Sequence, residues 1–241
     1  MKVLIVIPAR YASTRFPGKP LALIHGKPMI QLVWEQAMKV KGDTTVVVAT
    51  DHQGIQNTVE GFGGQCVRTR SDHPSGTDRC AEAAGILDFE GDVVLNMQGD
   101  EPFINPSALE RLIDVFADRQ VQLATLCRRI DAKTTLEDPN VVKVVKGIHE
   151  NALYFSRFPV PFLRNYHVDD WIAQNSHFQH IGVYAFRPEV LQAVTSLAPT
   201  QLEKAESLEQ LRWLEHGHAI RLVETNYVSK GIDTPEDLNG L

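Results

Sequence analysis

Basic side chains cluster directly after the first apolar run of this sequence. Val3 to Ile7 lead into a loop that carries Arg10, Arg15 and Lys19, and residues 1 to 34 hold five Lys or Arg but no Asp or Glu. The whole chain has the opposite balance, with 30 acidic and 24 basic residues. Because positive charge at the carboxyl end of a buried parallel strand concentrates anions there, this loop predicts a polyphosphate site. A solvated basic loop without a ligand is the alternative interpretation.

The glycine pattern of this loop excludes two common nucleotide-binding motifs. Gly18 and Lys19 resemble the end of a P-loop, but Pro20 stands where a P-loop has the Ser or Thr that holds magnesium. The dinucleotide-binding fingerprint is missing as well, since no glycine lies between Ile7 and Gly18. The loop instead predicts that flexible Gly18, with rigid Pro17 and Pro20 around it, aims Lys19 at phosphate oxygens.

Two carboxylates are candidates for holding a divalent cation. Asp100 follows an apolar run directly, which places it at the same predicted sheet edge as the basic loop. Asp233 precedes Thr234, whose spacing to Asp237 resembles a helix capping box. Mg²⁺ prefers carboxylate oxygen, so both carboxylates are candidate ligands. An ordinary turn at Asp100 and a structural role for Asp233 are the alternatives.

A short polar segment, Ser75-Gly76-Thr77-Asp78-Arg79, precedes a predicted helix. The amides and hydroxyls at a helix N-terminus can bind a phosphate or a nucleobase, which makes this segment a second candidate contact with a nucleotide. Helix capping by Ser75 or Thr77 explains the same residues without a ligand. Both interpretations remain open at this point.

Composition restricts the class of partner. A net charge of −6 and a pI near 5.8 argue against nucleic-acid binding, which needs a basic face. Three widely spaced cysteines without a C-x-x-C pair indicate neither a disulfide framework nor a zinc site, and they fit a reducing cytoplasm. No apolar run approaches the roughly 20 residues that span a bilayer, so we expect no membrane insertion.

Alternating strand and helix patterns in the first half predict an α/β fold. The strands are continuous apolar runs, as in parallel sheets covered on both faces. The predicted strands are Val3–Ile7, Thr45–Ala49, Cys66–Thr69 and Val93–Met97, and the predicted helices are Met29–Val40, His52–Phe62, Thr77–Leu87 and Asn105–Ala117. A doubly wound, mostly parallel sheet follows from this order.

The pattern changes after about residue 120. Longer alternating runs predict a smaller mixed-strand extension over about residues 120–185, within a single domain of residues 1–241. The predicted strands there are Gln122–Arg129, Val141–Lys146, Ala152–Ser156 and His180–Phe186, and helices are predicted near Pro188–Leu197 and Glu206–His216. The polar, aromatic-containing stretch Leu163–Phe178 is the best candidate for a mobile loop or an interface arm.

Taken together, the motifs resemble the 3-deoxy-manno-octulosonate (Kdo) cytidylyltransferases, and the resemblance runs nearly from end to end. It rests on the joint order of Ile7–Arg15, Pro17–Pro20, Gly26–Ile30, Val48–Asp51, Ser75–Arg79, Gln98–Pro102, Ala152–Arg157, His180–Tyr184, Leu208–Arg212 and Asp233–Leu238. Leu163–Phe178 is the stretch that matches the family poorly. The resemblance implies a nucleotide-diphospho-sugar transferase-like fold.

The resemblance also implies roles for individual residues. Lys19, Arg10, Asp100 and Asp233 would be catalytic, and the last two would hold Mg²⁺. The implied nucleotide-binding residues are Pro8, Ala9, Arg10, Lys19, Ser75, Gly76, Thr77, Arg79 and Gln98. The implied sugar-binding residues are Gln98, Arg157, His180, Tyr184, Glu209 and Gln210. Arg157 suits the Kdo carboxylate, and the others suit hydroxyl groups.

The implied reaction transfers CMP from CTP to the anomeric hydroxyl of Kdo, which releases pyrophosphate and forms CMP-Kdo for lipopolysaccharide biosynthesis. The resemblance further implies a cytoplasmic homodimer. Alternative acceptors are an 8-amino analogue of Kdo or another acidic sugar such as a sialic acid. A non-catalytic nucleotide-sensing domain is a rival of another class, but such a domain would be expected to lack Lys19, Asp100 or Asp233, and all three are present.

Overall fold

The computed structural model describes residues 1–12, 16–228, 231–232 and 234–238. The chain forms two compact units. Unit 1 comprises Met1–Asp114, Val183–Thr195 and Ser229–Leu241, and unit 2 comprises Val115–Gly182 and Ser196–Val228. Within the described ranges, no helix is both long enough and apolar enough to cross a membrane.

The helices and strands are as follows, in chain order. The strands are β1 (Lys2–Pro8), β2 (Leu23–Ile24), β3 (Lys27–Pro28), β4 (Asp43–Thr50), β5 (Gln65–Arg68), β6 (Val93–Asn96), β7 (Leu123–Arg129), β8 (Lys143–Lys146), β9 (Ala152–Ser156), β10 (Phe178–Phe186) and β11 (Arg221–Glu224). The α-helices are α1 (Met29–Ala37), α2 (Gln53–Gly61), α3 (Gly76–Ile86), α4 (Pro106–Asp114), α5 (Lys133–Glu137), α6 (Trp171–Gln174), α7 (Pro188–Thr195), α8 (Gln201–Glu206) and α9 (Gln210–Glu215). Short 3₁₀ helices cover Lys19–Leu21, Val115–Ala117, Val168–Asp170 and Pro235–Leu238.

Unit 1 contains a mostly parallel sheet with β1 at its centre. β1 pairs in parallel with β4 on one side and with β6 on the other, and β5 extends the sheet beyond β4. The last residues of β10, Tyr184 to Phe186, pair antiparallel with β6. Every residue from Val3 to Ile7 is at most 2% exposed, because helices cover both faces of the sheet. The predicted α/β fold with a mostly parallel sheet is confirmed.

The helices of unit 1 begin where the sequence supplies a suitable first turn. Ser75 caps α3 by accepting a hydrogen bond from the Asp78 amide, so the predicted capping role of Ser75 is confirmed. α4 and α7 start at Pro106 and Pro188, because proline tolerates the first helical position. These helices and the parallel strands bring the loops after β1 and β6 to one edge of the sheet.

Unit 2 has the mixed strand directions that the alternating runs predicted. β8 pairs antiparallel with β9 and with the beginning of β10, whereas β7 and β11 are parallel. The predicted extension over about residues 120–185 falls mostly within this unit. Unit 2 also includes Ser196–Val228, which carries α8, α9 and β11. The prediction did not assign this later segment to the extension.

Two predictions for the second half need correction. The helix predicted near Glu206–His216 is the shorter α9, Gln210–Glu215, and α8 before it was not predicted. Ser207, in a left-handed conformation with a φ of 53°, ends α8 before α9 begins. The predicted loop Leu163–Phe178 contains α6, whose Trp171 packs with Ile130 and Leu136 in a small buried cluster. The packing of Trp171 depends on tertiary contacts that periodicity does not report.

Candidate active site

A pocket of about 230 Å³ lies in unit 1, at the carboxyl ends of β1 and β6. Its walls come from three places in the sequence: the end of β1 with the basic loop, the entry to α3, and the loop after β6. The lining residues are Pro8, Ala9, Arg10, Lys19, Pro20, His73, Pro74, Ser75, Gly76, Arg79, Gln98, Gly99 and Asp100. Most of the residues expected to bind the nucleotide therefore share one cavity.

Lys19 is held at the edge of this pocket by two oxygen atoms. Its Nζ donates to Asp100 Oδ2 at 2.8 Å and to the carbonyl oxygen of Ile232 at 2.9 Å. The Lys19 side chain is 15% exposed and that of Asp100 is 30% exposed, so the pair is partly shielded from water. The Ile232 amide in turn donates to the Asp100 carbonyl at 3.0 Å. The ammonium group of Lys19 is thus fixed in the pocket, where an incoming anion can reach it.

The loop before Lys19 is shaped by a glycine and an aromatic stack. Gly18 has a φ of 72°, which is the left-handed region that glycine tolerates best, and its amide donates to the Tyr11 carbonyl. A Cβ atom on Gly18 would lie 3.3 Å from the Tyr11 ring. That ring stacks on His52 with a centroid distance of 4.1 Å. Arg15, the third basic residue expected to face phosphate, lies outside the described residues.

Gly99 permits the loop after β6 to approach β1 closely. A Cβ atom at this position would lie only 2.9 Å from the carbonyl oxygen of Pro8. The Met97 amide also donates to the Val6 carbonyl, which continues the strand ladder to this point. Gly99 therefore brings Asp100 next to the residues that follow β1, and only glycine fits the spacing without movement of the backbone.

The N-terminus of α3 forms the opposite wall. Ser75 Oγ donates to Asp78 Oδ2 at 2.6 Å, and the helix then presents Gly76 and Arg79 to the pocket. The buried Arg79 guanidinium donates to Thr69 Oγ1 at 2.6 Å, and its Nη1 lies 3.2 Å from a carboxylate oxygen of Asp51. Aligned amides at a helix N-terminus favour a negatively charged ligand.

Thr77 differs from its neighbours in this segment. It is buried, and its hydroxyl accepts a hydrogen bond of 3.4 Å from the Asn96 side-chain amide. It is not one of the residues that line the described pocket. The structure therefore gives Thr77 a place in the packing between α3 and β6, and direct contact with a nucleotide remains a prediction.

His73 is a pocket residue that sequence reasoning missed. Its Nε2 forms a short hydrogen bond with Glu82, which also accepts from the Arg70 amide at 2.9 Å. Burial raises the pKa of Glu82, but the contacts with His73 and Arg70 outweigh it and leave that pKa below its ordinary value. The sequence feature that could have predicted His73 as a pocket residue is its position two residues before the Ser75 cap. A side chain at that position faces the same opening as the helix N-terminus.

The acidic side of the pocket suits a hard divalent cation. Asp100 supplies a carboxylate beside the position expected for phosphates, and Mg²⁺ is commonly held by one or two carboxylates together with substrate phosphates and water. The described residues contain no preassembled group of three or more His, Cys, Asp or Glu that could hold a metal alone. Asp233, the second expected ligand, lies outside the described residues. The donor set that is described fits a cation that binds together with the nucleotide.

Arg157, the expected partner of the sugar carboxylate, is anchored in unit 2 by backbone oxygens. Its Nε donates to the Glu206 carbonyl at 2.8 Å, Nη1 donates to the Pro139 carbonyl at 3.1 Å, and Nη2 donates to the Ser207 carbonyl at 3.4 Å. These contacts use one N–H of each nitrogen. Since each terminal nitrogen carries two N–H groups, one N–H of Nη1 and one of Nη2 remain to donate to a carboxylate.

His180 also lies in unit 2, and its protonation is set by its surroundings. Burial lowers the pKa of His180 to about 3, so the ring is neutral near pH 7. The Thr125 hydroxyl donates to the Ile181 carbonyl at 3.2 Å and also contacts His180 Nε2 at 3.0 Å. A neutral imidazole can exchange hydrogen bonds with hydroxyl groups, and contact between His180 and a sugar remains a prediction.

The remaining expected sugar-binding residues are divided between the units. Tyr184 is buried in unit 1, where it pairs with Asn96 of β6, while Gln98 lines the pocket described above. Glu209 and Gln210 are at the beginning of α9 in unit 2, and Gln210 is buried. Their contacts with a sugar remain predictions.

The capping interpretation at the end of the chain is supported by one of the two hydrogen bonds of a capping box. The Thr234 amide donates to Asp237 Oδ2 at 2.8 Å, and the Thr234 hydroxyl contacts the same oxygen at 3.2 Å. The element that follows, Pro235–Leu238, is a 3₁₀ helix and not the α-helix that a capping box usually starts. This structure leaves the role of the neighbouring Asp233 as a prediction.

Comparisons with known proteins identify the family of this chain. A family model described as cytidylyltransferase matches residues 4–221. A relative from Cytophaga hutchinsonii, named 3-deoxy-manno-octulosonate cytidylyltransferase, is 50% identical over 240 residues, which cover 99% of this chain and 95% of the relative. A relative of the same name from Bacteroides thetaiotaomicron is 50% identical over 241 residues, which cover 99% of this chain and 96% of the relative.

A solved structure is similar over nearly its whole length. It is described as CMP:2-keto-3-deoxy-manno-octonic acid synthetase complexed with CTP, and it superposes with a TM-score of 0.91 at 44% identity. The match covers 99% of this chain and 95% of that one. A cytidylyltransferase from Leptospira borgpetersenii has a TM-score of 0.63 at 18% identity, which is a likeness of fold alone.

Proposed function

This chain belongs to the 3-deoxy-manno-octulosonate cytidylyltransferase family, and from that premise we propose that it transfers CMP from CTP to the anomeric hydroxyl of Kdo. The products are CMP-Kdo and pyrophosphate. The chain is therefore a nucleotidyltransferase, and the name of its relatives implies the lipopolysaccharide pathway.

One observation in the structure supports the proposal most directly. Lys19 is bonded to Asp100 and to the Ile232 carbonyl at the edge of a pocket where the ends of two parallel strands face the N-terminus of α3. This pocket combines an ammonium group, a helix N-terminus and a carboxylate suited to a cation, which are the groups that a nucleoside triphosphate needs. We assign the CTP to this pocket.

In the reaction, the anomeric oxygen of Kdo forms a bond to the α-phosphorus of CTP, and the bond from that phosphorus to the pyrophosphate oxygen breaks. The proton of the attacking hydroxyl is released to the solvent. Lys19 and Arg10 would stabilise the negative charge that develops on the departing pyrophosphate. Asp100 would keep the Lys19 ammonium in position before the nucleotide arrives. Positioning and charge neutralisation account for most of the catalysis in such transfers.

Cytidylyltransferases of this kind generally use a divalent metal, and we propose Mg²⁺ here, held by Asp100 and Asp233. When bound, the cation supplies charge neutralisation at the phosphate oxygens. Asp100 serves this role because its carboxylate is partly exposed to the pocket. Lys19 would then exchange part of its contact with Asp100 for a phosphate oxygen of the nucleotide.

For the sugar acid, we propose that the Arg157 guanidinium pairs with the carboxylate of Kdo and that the neutral His180 ring forms a hydrogen bond with a hydroxyl. Gln98, Tyr184, Glu209 and Gln210 are proposed to complete the contacts with the sugar. Support for these roles comes from the resemblance and from the side chains' chemistry. An 8-amino analogue of Kdo differs at one exocyclic group only, so it is the acceptor to compare first.

We further propose that the protein is a cytoplasmic homodimer. Unit 2 exposes large apolar side chains, with Ile148 94% exposed, Phe158 71% and Phe162 69%. Exposed apolar groups of this size often mark an interface between proteins. The expected result is a mass of twice the chain's 26.9 kDa in light scattering, and a monomer at all concentrations would contradict the proposal.

The reaction is tested by Mg²⁺-dependent release of pyrophosphate from CTP, with Kdo, its 8-amino analogue and N-acetylneuraminate offered separately. We expect turnover with Kdo and less than about one hundredth of that rate with N-acetylneuraminate, since a misplaced acceptor loses the advantage of orientation. Faster turnover with another acceptor would move the assignment to that acid. No turnover with any of the three would refute the proposed activity.

A further inference from the structure

We propose that Glu206 is a positioning residue for Arg157, and therefore that it controls recognition of the carboxylate of the acceptor. This inference rests on the proposed function, because it takes Arg157 as the partner of the Kdo carboxylate. Glu206 is not itself expected to touch either substrate. Its role follows from the contacts that it makes around the end of β9.

The Glu206 carboxylate accepts hydrogen bonds from two residues of β9 and from the residue that follows this strand. Oε1 accepts from the Ser156 hydroxyl at 2.7 Å and from the Tyr154 hydroxyl at 3.4 Å, while Oε2 accepts from the Arg157 amide at 2.8 Å. Ser156 is buried, with 3% exposure. One carboxylate thus fixes the backbone from which the Arg157 side chain departs.

The backbone of Glu206 fixes the other end of the same side chain. Its carbonyl accepts from Arg157 Nε at 2.8 Å, and the next carbonyl, that of Ser207, accepts from Nη2 at 3.4 Å. Both carbonyls are available because α8 ends here, with Ser207 in the left-handed conformation. Unpaired carbonyls at a helix C-terminus favour a cation. Glu206 therefore holds Arg157 by its amide and by its guanidinium together.

The charge of Glu206 has a second effect. Lys143, which is fully buried, donates to the Asp138 and Val141 carbonyls, and it carries positive charge close to Arg157. Burial lowers the pKa of Lys143, Asp138 raises it, Arg157 lowers it further and Glu206 raises it, with burial dominant. The Glu206 carboxylate thus offsets part of the repulsion between Lys143 and Arg157.

Steady-state kinetics on the full chain test this inference. We expect Glu206→Ala to raise KM for Kdo by about 10- to 100-fold and to leave KM for CTP within about twofold, because misplacing an orienting group by about 1 Å can cost about 100-fold. Glu206→Gln keeps the shape and can still accept hydrogen bonds, so its effect should be smaller. Glu215→Ala is the matched control. The Glu215 carboxylate also accepts a hydrogen bond from a backbone amide, that of Leu202, which lies in the first turn of α8, the helix that Glu206 ends.

Two further measurements separate positioning from general stability. In a double-mutant cycle, Glu206→Ala should add almost nothing to the effect of Arg157→Ala on KM for Kdo, because both changes remove the same interaction. The preference of the enzyme for Kdo over its C1 carboxamide should also fall in Glu206→Ala, while Glu215→Ala keeps that preference. Additive effects, or equal losses for both substrates, would overturn the inference and leave Glu206 a structural role only.

The proposed function and this inference fail in different ways. If Arg157→Ala leaves KM for Kdo unchanged, the carboxylate partner has been misassigned and the proposed site is wrong. If Arg157→Ala raises that KM but Glu206→Ala does not, the site stands and the inference about Glu206 is refuted.

Discussion

Gly99→Ala is the change that most directly tests the geometry of the pocket that we propose binds CTP. The new Cβ atom would lie 2.9 Å from the Pro8 carbonyl oxygen and 3.8 Å from Ile7 Cγ2. An ordinary C···O contact is about 3.3 Å or longer, so the two chains must separate by about 0.4 Å. The atom that must move belongs to the backbone, and rotation of a side chain cannot relieve the clash. The end of β1 therefore moves away from the loop that carries Asp100.

The expected cost has two parts. Overpacking of this kind lowers the free energy of unfolding by about 1–3 kcal/mol. If a misplacement of about 1 Å costs about 100-fold in rate, a shift of about 0.4 Å between Arg10 and Asp100 lowers kcat/KM for CTP by about fivefold to tenfold. Urea unfolding measures the first quantity, and initial rates of pyrophosphate release at saturating Kdo measure the second.

Gly85→Ala is the matched control for this experiment. Gly85 lies inside α3, and a Cβ atom there would meet nothing within 4 Å. Alanine in a helix interior is more favourable than glycine by about 0.5–1 kcal/mol, so this variant should be slightly more stable and fully active. Wild-type stability and wild-type kcat/KM in Gly99→Ala would refute the close approach of the loop after β6 to β1.

Three further predictions concern single side chains. Asp100→Asn should lower kcat by about 100-fold or more at saturating CTP and should raise the Mg²⁺ concentration needed for half-maximal rate, because it removes negative charge beside the phosphates; an unchanged Mg²⁺ dependence would remove Asp100 from the metal site. Lys19→Met should lower kcat by about 100-fold with a much smaller change in the Kd of CTP, and equal losses in both would assign Lys19 to ground-state binding. For His180, the unfolded chain binds a proton below the ordinary pKa of 6.5, whereas the folded chain binds it only near pH 3. The free energy of unfolding should therefore decrease as pH falls from 6.5 towards 3, and this decrease should be smaller in His180→Gln; identical pH profiles in urea unfolding would contradict the assignment.

The sequence predicted unit 1 well because its signals are local. Val3–Ile7 is a short, continuous apolar run with a turn sequence behind it, which is typical of a strand covered on both faces. Once the parallel order is known, the ends of β1 and β6 must face the same edge of the sheet. The positions of Lys19 and Asp100 in one pocket follow from that geometry, even though 81 residues separate them.

The features that escaped prediction depend on contacts between distant parts of the chain. Glu206 and Arg157 are 49 residues apart, and nothing in either local sequence indicates that one anchors the other. The sequence does not predict the left-handed conformation of Ser207, because serine rarely adopts it and the helical periodicity continues beyond this residue. His73 was missed for a similar reason, since its partner Glu82 lies two helical turns into α3.

The contact between Lys19 and Ile232 joins a segment that is synthesised early to one that is synthesised late. Unit 1 contributes the first 114 residues, yet its last segment follows Val228, after all of unit 2 has been synthesised. A nascent chain that ends before Ile232 lacks the carbonyl that holds the Lys19 ammonium and the amide that binds the Asp100 carbonyl. The two contacts that hold Lys19 and the Asp100 loop at this edge of the pocket therefore form only after all of unit 2 has been synthesised.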